Sequence, residues 1–211
     1  MSDTPIDVFI DLPSFPGPVQ AGRLWSHFRK GRESASFEYN KEWLANPHRF
    51  ALEPLLPLAD GTFHTNPGQS VFGAIGDSTP DRWGRILMRR AELARARTAN
   101  ESPHTLSELD YLLRVNDEAR QGALRFSQDG GQSFCAPPGS TPIPPLVNLS
   151  RLLHAADHFC RDDENAEDLR LLLAPGSSLG GARPKASVKD KKGNLCIAKF
   201  PRYDAEYNVV A

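Results

Sequence analysis

At 211 residues, with 39% apolar and 24% charged side chains, the chain falls in the globular range and can fill one large or two small domains. A net charge of −1 excludes an overall electrostatic footprint for nucleic acid or an acidic membrane. No apolar run approaches the roughly 20 residues that a membrane span requires, so the sequence gives no sign of one.

Asp7–Leu12 reads as a short strand, and Pro13, Pro16, Gly17 and Pro18 make a stiff turn after it. Val19–Phe28 resumes a strand, and Ser36-Phe-Glu-Tyr alternates polar and apolar side chains as a half-buried strand does. Phe50–Leu58 is apolar but broken by Pro54 and Pro57, which suits an edge strand or turns. The chain up to about residue 66 is thus expected to be a small β-rich module, and no internal repeat is visible.

From Gly76 the pattern becomes helical. Thr79 suits a cap, Pro80 the first helical position and Asp81 the positive end of the helix dipole, with Trp83, Ile86, Leu87, Ala91 and Ala94 on one face. Thr105-Leu-Ser-Glu108 has capping-box spacing and opens a second helix with Leu106, Leu109, Leu112 and Leu113 inward. Ser127–Pro145 is rich in Gly, Ser and Pro, the composition of a linker or long surface loop. Leu149, Leu152, Leu153, Ala156, Phe159 and Cys160 keep helical spacing, and Asp162–Asn165 breaks that helix. Ala166–Leu173 begins another, which Pro175-Gly176 ends. Asp204 suits the cap of a last helix through Val210.

The most informative stretch lies between. Gly176-Ser-Ser-Leu-Gly-Gly-Ala-Arg-Pro-Lys185 is a glycine-bearing turn. Strand-like Ala186–Lys189, a turn at Asp190–Asn194 and strand-like Leu195–Lys199 follow it. Residues 183 to 202 hold seven Lys or Arg and one Asp, which reads equally as a solvated hairpin or as a cationic rim for polyphosphate. Gly176 and Gly181 have the spacing of the first two glycines of a Walker A loop, but Ala182 and Arg183 replace the required Lys and Ser/Thr. Lys199, with Ile197 two residues back on the same face, is either an edge lysine or a cation aimed at phosphate. Gly176-Ser-Ser-Leu-Gly180 also meets the G-x-S-x-G spacing of a serine nucleophile. That elbow needs a strand before the serine and a helix after it, the reverse of the order expected here.

Three further groups have bland readings. Asp77, Asp81, Arg82 and Arg85 around Trp83 suit an interaction surface, but a tryptophan packing a helix onto a sheet is the preferred reading. His154 and His158, at i and i+4, have no carboxylate or cysteine evidently placed to complete a metal site and read as a surface pair. Cys135, Cys160 and Cys196, odd in number and widely spaced, argue against disulfides and for a reducing compartment. With no signal-peptide pattern at the start, a soluble cytoplasmic protein is expected.

The loop Gly-Ser-Ser-Leu-Gly-Gly-Ala-Arg-Pro-Lys-Ala, followed by Ile-Ala-Lys-Phe-Pro, resembles the nucleotide-binding segment of HipA-like Ser/Thr kinases, toxins of bacterial toxin–antitoxin pairs. Phe37-Glu-Tyr with Trp43-Leu, Phe72–Asp77, Ser78-Thr-Pro-Asp-Arg-Trp-Gly-Arg-Ile-Leu87 and Arg120-Gln-Gly-Ala-Leu-Arg125 resemble that family's amino-terminal region. The resemblance implies an α+β fold: a small β-rich subdomain, then helices, then the start of a protein-kinase-like N-lobe. It implies a HipA-type subdomain over 1–130, a linker over 131–145 and the beginning of a kinase-like domain over 146–211. It implies ATP held by Ser177, Ser178, Leu179, Gly180, Gly181, Ala182, Arg183, Pro184, Lys185 and Lys199, with Ser178 the candidate for autophosphorylation. Substrates would be protein hydroxyls on a translation component such as an aminoacyl-tRNA synthetase. The partner would be a small helix-turn-helix antitoxin-like protein, with DNA reached only through it. The family's catalytic and Mg²⁺-binding acids lie downstream of the strand lysine, so no catalytic or metal-ligating residue is expected in 1–211, and Asp162 and Asp163 are not assigned that work. Residues 1–211 alone are expected to be inactive. The alternative is a truncated, non-catalytic interaction module that binds an antitoxin-like partner.

Overall fold

The computed structural model describes residues 5–136, 143–176, 181 and 183–201. The fold is α+β. The chain divides into two compact units that interleave along the sequence. One comprises Met1–Thr79, Ser107–Leu113 and Gln121–Cys135; the other comprises Pro80–Leu106, Arg114–Arg120 and Ala136–Ala211.

The first unit is built on a five-stranded antiparallel sheet. Its strands are β1 (Ile6–Ile10), β2 (Val19–Arg29) and β3 (Arg32–Tyr39), then, beyond a one-turn helix α1 (Lys41–Ala45), β4 (Thr62–His64). The short helix α2 (Gly73–Gly76), the long α3 (Arg82–Ala99, in the second unit) and the short α4 (Glu108–Leu113) come before β5 (Leu124–Ser127), which pairs with β1. The spatial order is β4-β3-β2-β1-β5. β1, flanked by β2 and β5, is buried along its whole length rather than alternating. Ile6, Val8 and Ile10 face a core that includes Leu24, Phe37, Trp43, Leu56, Phe72, Leu112 and Phe126. Phe9, on the opposite face, meets Phe134 edge-on at 5.5 Å.

The expected strands at the start of the chain are present. β4 and β5, three and four residues long, carry too little alternation to be seen in the sequence. Phe50–Leu58 forms no strand. Tyr39 fixes it as turns: its hydroxyl donates to the Leu56 carbonyl at 2.7 Å and accepts from the Leu52 N–H at 2.9 Å. Burial of that hydroxyl raises its pKa.

Both expected helix starts shift by two residues. α4 begins at Glu108, and its capping box is Ser107 with Asp110, not Thr105 with Glu108. The Ser107 Oγ accepts from the Asp110 N–H at 3.1 Å, and Asp110 Oδ2 accepts from the Ser107 N–H at 2.9 Å. The Glu33 carboxylate of β3 takes the next two orphan donors, the N–H groups of Glu108 and Leu109, at 2.9 and 3.2 Å. α3 begins at Arg82 with Asp81 as its N-cap. Thr79 instead donates its hydroxyl to the Gly76 carbonyl at 2.7 Å, and Pro80 precedes the helix.

The second unit packs α3 with α5 (Leu149–Cys160), α6 (Ala166–Gly176) and a hairpin of β6 (Lys185–Lys189) and β7 (Leu195–Lys199). Its core is Trp83 and Leu87 of α3, Leu152, Ala155, Ala156 and Phe159 of α5, Leu169 and Leu172 of α6, and Ala186 and Val188 of β6, with Phe200. Around it run two ionic clusters. Arg90 lies 4.0 Å over the Phe159 ring and binds the carboxylates of Glu164, at 2.8 Å, and Asp162. Glu92 is 3% exposed and takes Arg95 at 2.8 Å, Arg114 at 3.2 Å and the His104 N–H at 3.1 Å. These hydrogen bonds, Arg95's first, outweigh burial and hold the Glu92 carboxyl at about 2 instead of 4.5.

Because Glu92 is depressed in the folded state, its contribution is complete above about 4.5 and lost as pH falls from there through about 2. Glu92→Gln is expected to lower stability at pH 7 by about 1–3 kcal/mol, discounted for the solvent exposure of Arg95. Urea denaturation at pH 7 and pH 3 checks this: the gap between variant and wild type should narrow at the lower pH.

Candidate functional site

The hairpin pairs Lys185 with Lys199, Ala186 with Ala198, Ser187 with Ile197, Val188 with Cys196 and Lys189 with Leu195. Residues directly opposite in an antiparallel pair share a face. Ala186, Val188 and Ala198 therefore lie on the core-facing side. Lys185, Lys199 and Ile197 share the other side, where Ile197 is 54% exposed. Asp190 shapes the connecting turn, accepting from the N–H groups of Lys192 and Asn194 and from the Asn194 side chain at 2.8 to 2.9 Å. These bonds, the Asn194 amide's first, hold its carboxyl below the usual range. Its work is structural.

Trp83 joins this hairpin to the helices. It is 2% exposed, meets Phe159 edge-on at 5.0 Å and donates its indole N–H to the Lys185 carbonyl at 2.9 Å. The preferred reading of this residue, a helix packed onto a sheet, is what the structure shows. Gly176, the last residue of α6, lies against the same ring. A Cβ there would stand 2.7 Å from Leu87 Cδ1 and 3.1 Å from Trp83 Nε1, so only glycine fits without a shift.

Gly181 is held from the same helix turn. Its N–H donates to Asp81 Oδ2 at 2.6 Å, and its carbonyl accepts from the Trp83 N–H at 3.0 Å. Its φ of +83° is the left-handed conformation that glycine adopts without strain. A Cβ on it would meet Lys185 Nζ at 2.9 Å, so the ammonium group lies directly over the glycine. The Asp81 carboxyl is held below its usual range, first by the Gly181 and Arg82 N–H bonds and then by the charges of Lys185 and Arg85.

Of the expected nucleotide-binding residues, the structure brings Gly181 and Lys185 together and sets Lys199 opposite Lys185 in the hairpin. Arg183 is exposed, and Pro184 is buried, its carbonyl accepting the Phe200 N–H at 3.0 Å. Ser177, Ser178, Leu179, Gly180 and Ala182 lie outside the described residues, as does the helix expected from Asp204. That Asp81 bonds Gly181 and Trp83 bonds Lys185 was not legible in local pattern, because the partners lie 100 and 102 positions apart.

His154 and His158 lie on α5 with ring centroids 4.0 Å apart and planes tilted by 57°, and His158 Nδ1 lies 3.0 Å from Asp168 Oδ2. Among the described residues no group of three or more His, Cys, Asp or Glu side chains is gathered to hold a metal ion. Cys135, Cys160 and Cys196 are all free thiols. No helix among the described residues is long and apolar enough to cross a membrane.

A five-stranded antiparallel sheet with following helices, joined in one chain to a hairpin carrying opposed lysines, defines an α+β protein. The HipA N-terminal domain family matches residues 17–127, more than half of the chain, and the chain belongs to that family. No curated protein matches it. The matched span runs from just before β2 to the end of β5, so it does not include the hairpin.

Trp83→Phe keeps the ring contact with Phe159 but leaves the Lys185 carbonyl without its indole donor. It is expected to lower stability by about 1–2 kcal/mol, read as a fall in the midpoint of thermal or urea unfolding.

Proposed function

We propose that this chain is the ATP-binding portion of a HipA-type Ser/Thr protein kinase. The observation that carries the reading is the pairing of Lys185 with Lys199 on the hairpin face opposite Ala186 and Val188, with Lys185 Nζ lying over Gly181. Like charges directly opposite each other destabilise a strand pair by a few tenths of a kcal/mol or more. A polyphosphate neutralises both at once, and a glycine beside them lets its oxygens approach the backbone closely. Ile197, apolar and exposed on the same face beside Lys199, offers surface for a base.

In this reading Lys199 and Lys185 neutralise phosphate charge beside Gly181. ATP supplies the phosphoryl group, and Mg²⁺ screens the charge between phosphates. Ser178 is the candidate for autophosphorylation. The family's toxin–antitoxin context favours a helix-turn-helix antitoxin-like partner and a hydroxyl of a translation protein, such as an aminoacyl-tRNA synthetase, as acceptor. Nothing in the chain's net charge of −1 calls for direct DNA contact.

Calorimetric titration with MgATP tests the nucleotide reading. Lys199→Ala and Lys185→Ala are each expected to weaken binding at least tenfold. Lys191→Ala, in the exposed turn of the same hairpin, should stay within about twofold of wild type, a difference of about 0.4 kcal/mol. Equal losses in all three would reduce the site to unspecific charge, and wild-type chain that does not bind would overturn the reading in favour of a non-catalytic interaction module.

A further inference from the structure

The first turn of α3 holds the glycine-bearing segment on both of its flanks. On the near side, Gly176 packs against Trp83 of the first turn and Leu87 of the second, where a Cβ would stand 3.1 Å from Trp83 Nε1 and 2.7 Å from Leu87 Cδ1. On the far side, Gly181 is fixed by a reciprocal pair of hydrogen bonds: N–H to Asp81 Oδ2 at 2.6 Å, and carbonyl from the Trp83 N–H at 3.0 Å. Beyond it the Lys185 carbonyl takes the indole N–H of the same Trp83 at 2.9 Å.

Asp81 does two jobs with two different oxygens. Oδ1 accepts the Arg82 N–H at 2.7 Å and caps α3, while Oδ2 accepts the Gly181 N–H. A cap needs only the first. The second bond spends a carboxylate's second oxygen on a residue 100 positions away, beside the lysine that the nucleotide reading assigns to phosphate. In simple electrostatics an anion there opposes phosphate binding. Its placement makes sense if the geometry it imposes on Gly181 outweighs that repulsion.

We propose that Asp81 is a positioning residue for Gly181 and Lys185, acting through its bond to Gly181 rather than by touching nucleotide. The inference rests on the nucleotide reading given above, and it assigns to the α3 N-terminus the task of setting where Gly181 and Lys185 stand. The role is not capping alone, because one carboxylate oxygen suffices for a cap.

Asp81→Asn separates the two jobs. Asparagine is among the best N-caps, so α3 is retained and the chain folds. The amide offers only one acceptor, however, and whichever way it is turned an NH₂ faces one of the two N–H groups. Two readouts on the full 211-residue chain follow, amide hydrogen exchange at Gly181 by NMR and MgATP affinity by calorimetry.

The proposal expects Gly181 to exchange at least tenfold faster in the variant and MgATP to bind at least fivefold more weakly, with the unfolding midpoint near wild type. The sign is the discriminating feature: removal of a negative charge beside the phosphates would by itself tighten binding. Unchanged or tighter binding with faster exchange overturns the positioning role. If wild-type chain does not bind MgATP, the nucleotide reading fails separately, and exchange alone then judges the anchor. Unchanged protection at Gly181 overturns it, and faster exchange upholds it as the support of a turn with another ligand.

Discussion

The indole N–H of Trp83, bonded to the Lys185 carbonyl at 2.9 Å, is the contact on which the second unit's arrangement depends. A buried indole must find an acceptor or forfeit the desolvation cost of its one polar atom. The acceptor it finds is the first residue of β6, so helix and hairpin are tied at one point. Phe159 meets the ring edge-on, which brings in α5, and Gly176 lies against its Nε1, which brings in the end of α6. Four elements therefore converge on one side chain. The same residue's backbone N–H reaches Gly181, so the support of the hairpin and the support of the glycine-bearing turn are one structure.

The first unit solves a different problem. A five-stranded sheet has two edge strands, and here both are short: β4 with three residues and β5 with four. Short edges present few unpaired backbone groups to another chain. The long strands β2 and β3 lie inside, and β1 is buried on both faces. Buried polar groups in this unit are matched in turn. Asp7 of β1, 7% exposed, receives the Gln20 amide at 2.7 Å and the Arg23 guanidinium at 2.8 Å.

Local pattern made much of this legible. Alternation in Ser36-Phe-Glu-Tyr marks β3, and the polar run Asp190–Asn194 between two apolar stretches marks the β6–β7 hairpin with its turn. The α5 and α6 boundaries follow from the helical period and from Asp162–Asn165. What was not legible depends on partners remote in sequence. Thr79 and Asp81 are both competent caps, and the choice between them goes with Gly181, to which only Asp81 bonds. Thr105 and Ser107 each have an acid three residues on, and the register goes with Glu33, which takes the N–H groups of Glu108 and Leu109. β5 was missed because its evidence is its pairing with β1, not its four residues.

The charged hairpin shows how a bland and a functional reading divide one segment between them. Lys191 and Lys192 stand exposed in the turn that Asp190 organises, a solvated face. Lys189 pairs with Glu118, which ties β6 to the 3₁₀ turn at Asp117–Ala119. Those three cations have structural or solvation reasons to be present. Lys185 and Lys199 are set against each other on one face by the hairpin register. Asp81 offsets part of the charge on Lys185, yet its carboxylate is also committed to the Arg82 and Gly181 N–H groups. A carboxylate so engaged organises the backbone beside the lysines more than it quenches them. On that face Lys185 and Lys199 stand with an exposed Ile197 and beside a left-handed Gly181, the group of residues on which the nucleotide proposal draws.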